Sequence, residues 1–184
     1  MPEWEREMHS RIILRRRRMT FVAAFAVLGV FAWSPPAAGQ DVGLALGVVP
    51  ESVQVEDLDG GAVNLGDYVG RKPVLIQFWA TWCPLCAALE PKLRAAKQQH
   101  GDDLDVVILA VGVNQTPRSI KRHLERHELA GRVLFDGRGR ATRAFRAPTT
   151  SYVVALDRRG RVVYTGVGSD QDIAAAAAKA VAGR

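Results

Sequence analysis

The run 73-PVLIQFWA-80 stops at 81-TWCPLC-86, and this junction constrains the fold more than any other stretch of the chain. A short, nearly continuous apolar segment is the mark of a strand covered on both faces. Just beyond it, Pro84 stands where the first turn of a helix accepts proline. A helix is expected from about Pro84 to Gln98, with Leu85, Leu89 and Leu93 spaced along one side. A second apolar run, 104-LDVVILAVGV-113, predicts the next buried strand. Residues 73–113 therefore read as a β-α-β unit, right-handed by rule.

The flanking segments extend this unit. Upstream, 53-VQVEDLDGGAVNL-65 alternates around Asp59-Gly60-Gly61, a hairpin pattern. Downstream, an amphipathic helix is expected over 117–129, a strand over 132–135, and a short helix near 139–146. Two strands, 149–157 and 161–167, turn at Arg158-Arg159-Gly160, and an alanine-rich helix over 170–183 follows. The fold class is α/β: a central mixed sheet flanked by helices, with an N-terminal β-hairpin extension.

Cys83 and Cys86 are the only cysteines, two residues apart. A disulfide closing so small a loop removes little unfolded-state entropy, so a structural purpose explains it poorly. Cys83 lies where strand gives way to helix. Unpaired amides and the positive end of the helix dipole there favour a thiolate. Cys86, about one turn in, is placed to attack a mixed disulfide formed on Cys83. A C-x-x-C beside a β-α-β pattern points to redox chemistry. Half a zinc site is the competing reading, but zinc needs two further ligands. His123 and His127, one turn apart in KRHLERHE, are the nearest candidates and read more simply as a solvated helix face. Two thiolates alone also suit Cu(I), as in a metallochaperone.

Charge places this chemistry outside the cytoplasm. Of 25 basic and 19 acidic residues, six arginines and three glutamates fall within residues 1–40. The remainder carries only +3, which makes no case for a nucleic-acid surface. The run 11-RIILRRRR-18, fifteen uncharged residues over 19–33, and then Pro35, Pro36, Ala37, Ala38 and Gly39 form a signal peptide or a retained signal anchor. Fifteen residues are short for a hydrocarbon core of about 30 Å. The expected organisation is 1–39 leader, 40–50 linker and 51–184 domain. The domain is exported to a periplasmic or extracytoplasmic space, with membrane contact through 11–33 if the leader stays.

The segment FWATWCPLC resembles the active-site strand and loop of thioredoxin-like proteins. From about Pro50 to Gly183 the pattern resembles the exported, often membrane-anchored thiol–disulfide oxidoreductases of the TlpA/ResA group. The carriers are 56-EDLDGGAVNLGDYVGRKPVLIQFWATWCPLC-86, Pro91 and 147-APTTSYVVALDRRGRVV-163. The resemblance implies a thioredoxin-like fold, no cofactor and no resident metal. It implies protein substrates with disulfides or thiols, an upstream membrane electron donor, and a preference for reduction that includes cytochrome c maturation. It further implies that Ala147 and Pro148, in a cis-proline loop, bind substrate beside Trp82 and Pro84, and that Trp82 shields the disulfide while Trp79 packs in the core. A peroxiredoxin-like peroxidase is the related alternative.

This chain departs from the resemblance at several points. Gln77 stands where thioredoxin has a buried proton-accepting aspartate. Leu89 stands where the TlpA/ResA group commonly has a glutamate, and the acid comes one place later, at Glu90. Spacing i to i+4 puts Glu90 on roughly the Cys86 side of the helix, where it would assist proton transfer. The stretch 143-RAFRAP-148 is short for the group, and Arg138, Arg140, Arg143 and Arg146 cluster beside it as a solvated face or a dock for an acidic partner.

Overall fold

A computed structural model describes residues 42–183. The leader, the first residues of the expected linker and Arg184 lie outside the described residues. Seven strands form one mixed sheet: β1 (Gln54–Glu56), β2 (Ala62–Asn64), β3 (Val74–Trp79), β4 (Asp105–Val111), β5 (Arg132–Asp136), β6 (Val153–Leu156) and β7 (Val162–Gly166). Their order is β2-β1-β5-β4-β3-β6-β7. The central strands β3, β4 and β5 run parallel, while β6, β7 and the β1–β2 hairpin are antiparallel to their neighbours. The fold expectation thus holds, hairpin included.

β3 is buried at every residue, as a strand paired on both edges and covered on both faces must be. Its alternation sends Phe78 to one face and Trp79 to the other. Phe78 packs against the rings of Phe145 and Tyr152, at 5.8 and 5.6 Å between centroids. Trp79 meets His123 edge-on at 5.4 Å. Four helices cover the sheet: α1 (Pro84–His100), α2 (Pro117–Leu124), α3 (Arg140–Ala144) and α4 (Ile173–Ala182). β3→β4 and β4→β5 step the same way across the sheet, so right-handed crossovers put α1 and α2 on the Trp79 face. α4 packs beside α1, whereas α3 sits near Phe145 on the opposite face.

Several expected boundaries move. α1 buries Cys86, Leu89, Leu93 and Ala96, but Leu85, in the first turn, is 47% exposed. α2 ends at Leu124 rather than near 129. The chain then has to reach Gly131, where a side chain would collide with the Val106 carbonyl at the start of β4. β6 begins at Val153 because Thr149–Ser151 form a turn, with Ser151 at φ 65°. The segment expected to be a linker is docked over the residues described, 42–50. Gly47 N–H donates to Val162 O at 2.7 Å, Val162 N–H donates to Val48 O at 2.8 Å, and Leu44 is buried. Gly43, at φ 87°, lets this segment cross the Tyr152 ring, whose hydroxyl accepts from Leu44 N–H at 3.3 Å.

Candidate active site

Cys83 is the N-cap of α1, extended at φ −94° and ψ 104°, and its sulfur accepts the Cys86 N–H at 3.1 Å. A residue at this position normally offers a side-chain oxygen to the first free amides of a helix. Here a sulfur takes that place at the head of a 17-residue helix. The two sulfurs are bonded to each other. Cys86 is fully buried, its sulfur 3.9 Å from the Phe78 carbonyl oxygen, an acceptor for a Cys86 thiol after reduction. Pro84 and Leu85 are exposed, whereas Cys83 is itself buried at 6% exposure.

The other residues singled out from the sequence fall in several places. Trp82 is 47% exposed, and its indole N–H donates to Val113 O at 2.9 Å, which fixes the ring beside the disulfide loop. Trp79 is buried in the core. Ala147 and Pro148 line a cleft of about 390 Å³ together with Trp82, Val113, Gly137 and Thr142. No cis peptide bond occurs among the described residues, so the expected cis bond before Pro148 is corrected to trans. The chain reverses instead through Arg146 (φ 48°) and Ser151 (φ 65°), left-handed residues on either side of it.

Sequence reasoning missed the residues that hold these loops. Gln115 is buried; its Oε1 accepts the Thr81 N–H at 2.9 Å and its Nε2 donates to Val111 O at 2.7 Å. It ties the loop before Cys83 to the end of β4. Gln171, also buried, donates to the carbonyls of Ser151 (2.9 Å) and Gly168 (2.7 Å) and anchors the turn after Pro148. The one available signal was a glutamine following an apolar strand, as in 111-VGVNQ-115, which does not reveal its partner.

Glu90 lies one turn from Cys86 in α1 and also shares a cleft with Cys83. Helical spacing puts it in line with Cys83, Ala87 and Arg94, and these four border one cleft between α1 and the residues of and after α2. Cys86 instead faces the sheet, and no hydrogen bond joins it to Glu90. Glu90 Oε1 pairs with Arg94 at 3.4 Å, while Oε2 is buried without a partner among the described residues. Burial raises its pKa above the ordinary 4.5; Arg94 offsets part of this, as does the Ala130 amide, which makes no regular hydrogen bond to it. Gln77, on the same sheet face, is fully buried, and both its amide atoms lack a partner among the described residues. Arg138, Arg140, Arg143 and Arg146 are exposed and form no ion pair among the described residues.

Comparison with known proteins agrees with this arrangement. The Redoxin family model matches residues 45–181. The chain is 29% identical over 135 residues to the thiol-disulfide oxidoreductase ResA of Geobacillus thermodenitrificans, covering 71% of this chain and 75% of that protein. It is 23% identical over 158 residues to the sporulation thiol-disulfide oxidoreductase A of Bacillus subtilis, covering 85% and 92%. Among solved structures, the thioredoxin domain of a thiol-disulfide oxidoreductase from Bacteroides vulgatus superposes with a TM-score of 0.64 at 21% identity, covering 75% of this chain and 99% of that one. A secreted disulfide oxidoreductase of Mycobacterium tuberculosis, homologous to E. coli DsbE, gives 0.58 at 19%, covering 68% and 94%. At such identities these two likenesses speak for the fold.

Proposed function

Because the chain belongs to the Redoxin family and is a thiol–disulfide oxidoreductase of the ResA/StoA/DsbE type, we propose that it is exported and reduces disulfides in extracytoplasmic proteins, including those met in cytochrome c maturation. The observation that carries the reading is the hydrogen bond from the Cys86 amide to the Cys83 sulfur. A negative sulfur at a helix N-terminus gains from that donor and from the dipole, which makes Cys83 the nucleophile.

The Cys83 thiolate attacks one sulfur of a client disulfide, forming a mixed disulfide and releasing the other client sulfur, which takes a proton. Cys86 then gives up its proton and attacks the Cys83 sulfur, closing the Cys83–Cys86 bond and releasing the second client thiol. Two electrons pass to the client. A dithiol donor at the membrane reverses the change in the enzyme, and no cofactor takes part. In this reading Trp82, Ala147 and Pro148, which line one cleft, and the exposed Pro84 are the substrate-binding residues. Export rests on the basic-then-apolar leader, with 11–33 as the membrane contact where it is retained.

The test is capture of the client. Cys86→Ser leaves Cys83 able to attack but not to be released, so a client should accumulate as a mixed disulfide with Cys83, recovered without reductant and identified by mass. Cys83→Ser should abolish both capture and exchange. Capture through Cys86 in the Cys83→Ser protein would reverse the assignment of roles.

A further inference from the structure

The cleft between α1 and α2 joins Cys83 to a pair of histidines that the exchange reaction as described does not use. Its volume is about 390 Å³, and Cys83, Glu90, His123 and His127 all border it. The two imidazoles are stacked, 4.4 Å between centroids with planes 29° apart. His123 is also held edge-on by Trp79, the core residue that ends β3. His123 is thus half-buried against the core while His127, exposed, stacks on it from the solvent side, and both border the cleft that Cys83 borders.

At this distance a charge on the neighbouring ring disfavours a charge on His123. The other charged groups bordering the cleft are Arg94 and Glu90 from α1, and Arg126 and Glu128 beyond α2. Arg94 is engaged by Glu90 at 3.4 Å and by the Glu128 carbonyl at 2.7 Å. While the cysteines are joined as a disulfide, no negative sulfur faces the histidines. Burial first, then His127 and Arg126, hold the His123 pKa below its ordinary 6.5.

We propose that the His123–His127 pair is the proton store of the Cys83–Cys86 couple, taking up one proton when the disulfide is reduced and giving it back when the dithiol is spent. The proposal rests on Cys83 being the thiolate nucleophile. A dithiol donor delivers two electrons and two protons. The electrons break the Cys83–Cys86 bond; one proton goes to the Cys86 sulfur and the other to the imidazole pair, leaving Cys83 as a thiolate facing an imidazolium across the cleft. When that thiolate attacks a client, the charge that held the proton disappears. The pair then releases it to solvent, and the departing client sulfur takes up a proton from solvent. His123 and His127 act through Cys83 and are positioning residues for its charge.

Nuclear magnetic resonance titration of the imidazole Cε1–H signals, in the oxidised and the fully reduced protein, tests the proposal without any client. In the reduced protein at least one of the two midpoints should lie higher by about 0.5 unit or more, the size expected for a charge facing it across a partly solvated cleft. Cys83→Ser, which supplies no thiolate, should bring that midpoint back to the oxidised value. Identical midpoints in the two redox states would overturn the proposal, as would an elevated midpoint that persists in Cys83→Ser. If client capture fails while the redox-linked shift is present, the error lies in the assigned client class and not in the store.

Discussion

At the scale of single residues, Cys83 serves at once as helix cap and as reacting group, and the same amide accounts for both. Glu90, two turns along, stands in a different position. Its raised pKa comes chiefly from burial, and Arg94 only partly offsets it. A carboxyl whose pKa is higher in the folded than in the unfolded chain favours folding when protonated, and this advantage is lost as pH rises through its folded value. Glu90→Gln should therefore gain stability relative to the wild type as pH climbs from about 4 to 7, with little difference at the acid end where Glu90 is neutral in both states. Parallel urea denaturation at several pH values measures this. A gain that shrinks with rising pH would mean that the Arg94 pair outweighs burial.

At the scale of elements, β3 and α1 were the most legible parts of the sequence. An apolar run, a proline and two cysteines at a strand–helix junction each point to the same structure. What escaped notice was whatever depends on a distant partner. Gln115 meets Thr81 across 34 positions, and Leu44 meets Tyr152 across 108, separations at which no local pattern carries information. Pro148 lines a cleft with Trp82, and its trans bond, unlike the isomer the resemblance implies, leaves the reversal to the left-handed Arg146 and Ser151. Glu90 stands i+4 from Cys86 and also i+7 from Cys83, so helical spacing does not single out one sulfur. Gln77 marks the one inconsistency inside β3: an amide between Ile108 and Val153 in the centre of the sheet, with neither atom paired among the described residues. An unsatisfied buried polar group costs on the order of 1–3 kcal/mol. Gln77→Leu should accordingly raise unfolding stability by about 1–2 kcal/mol, read from the urea midpoint at unchanged slope. A loss of stability would mean that the amide is bonded in solution.

At the scale of the whole described domain, the chemistry sits where the parallel strands β3 and β4 end, and each surrounding loop is fastened to the sheet by a separate side chain. Trp82 is tied to Val113, Thr81 to Gln115, and Ser151 to Gln171. The segment 42–50 closes the far edge by pairing with β7 at Val162, so the sheet does not present that stretch as a free edge. Within this frame the Cys83 sulfur accepts the Cys86 amide. The most direct measurement of the central claim is the pH dependence of alkylation at Cys83 in the reduced protein, with Cys86 replaced by serine so that a single thiol reports. A midpoint at least one unit below the value of about 8.5 for a free thiol is the expected result; a midpoint at or above that value would contradict the account.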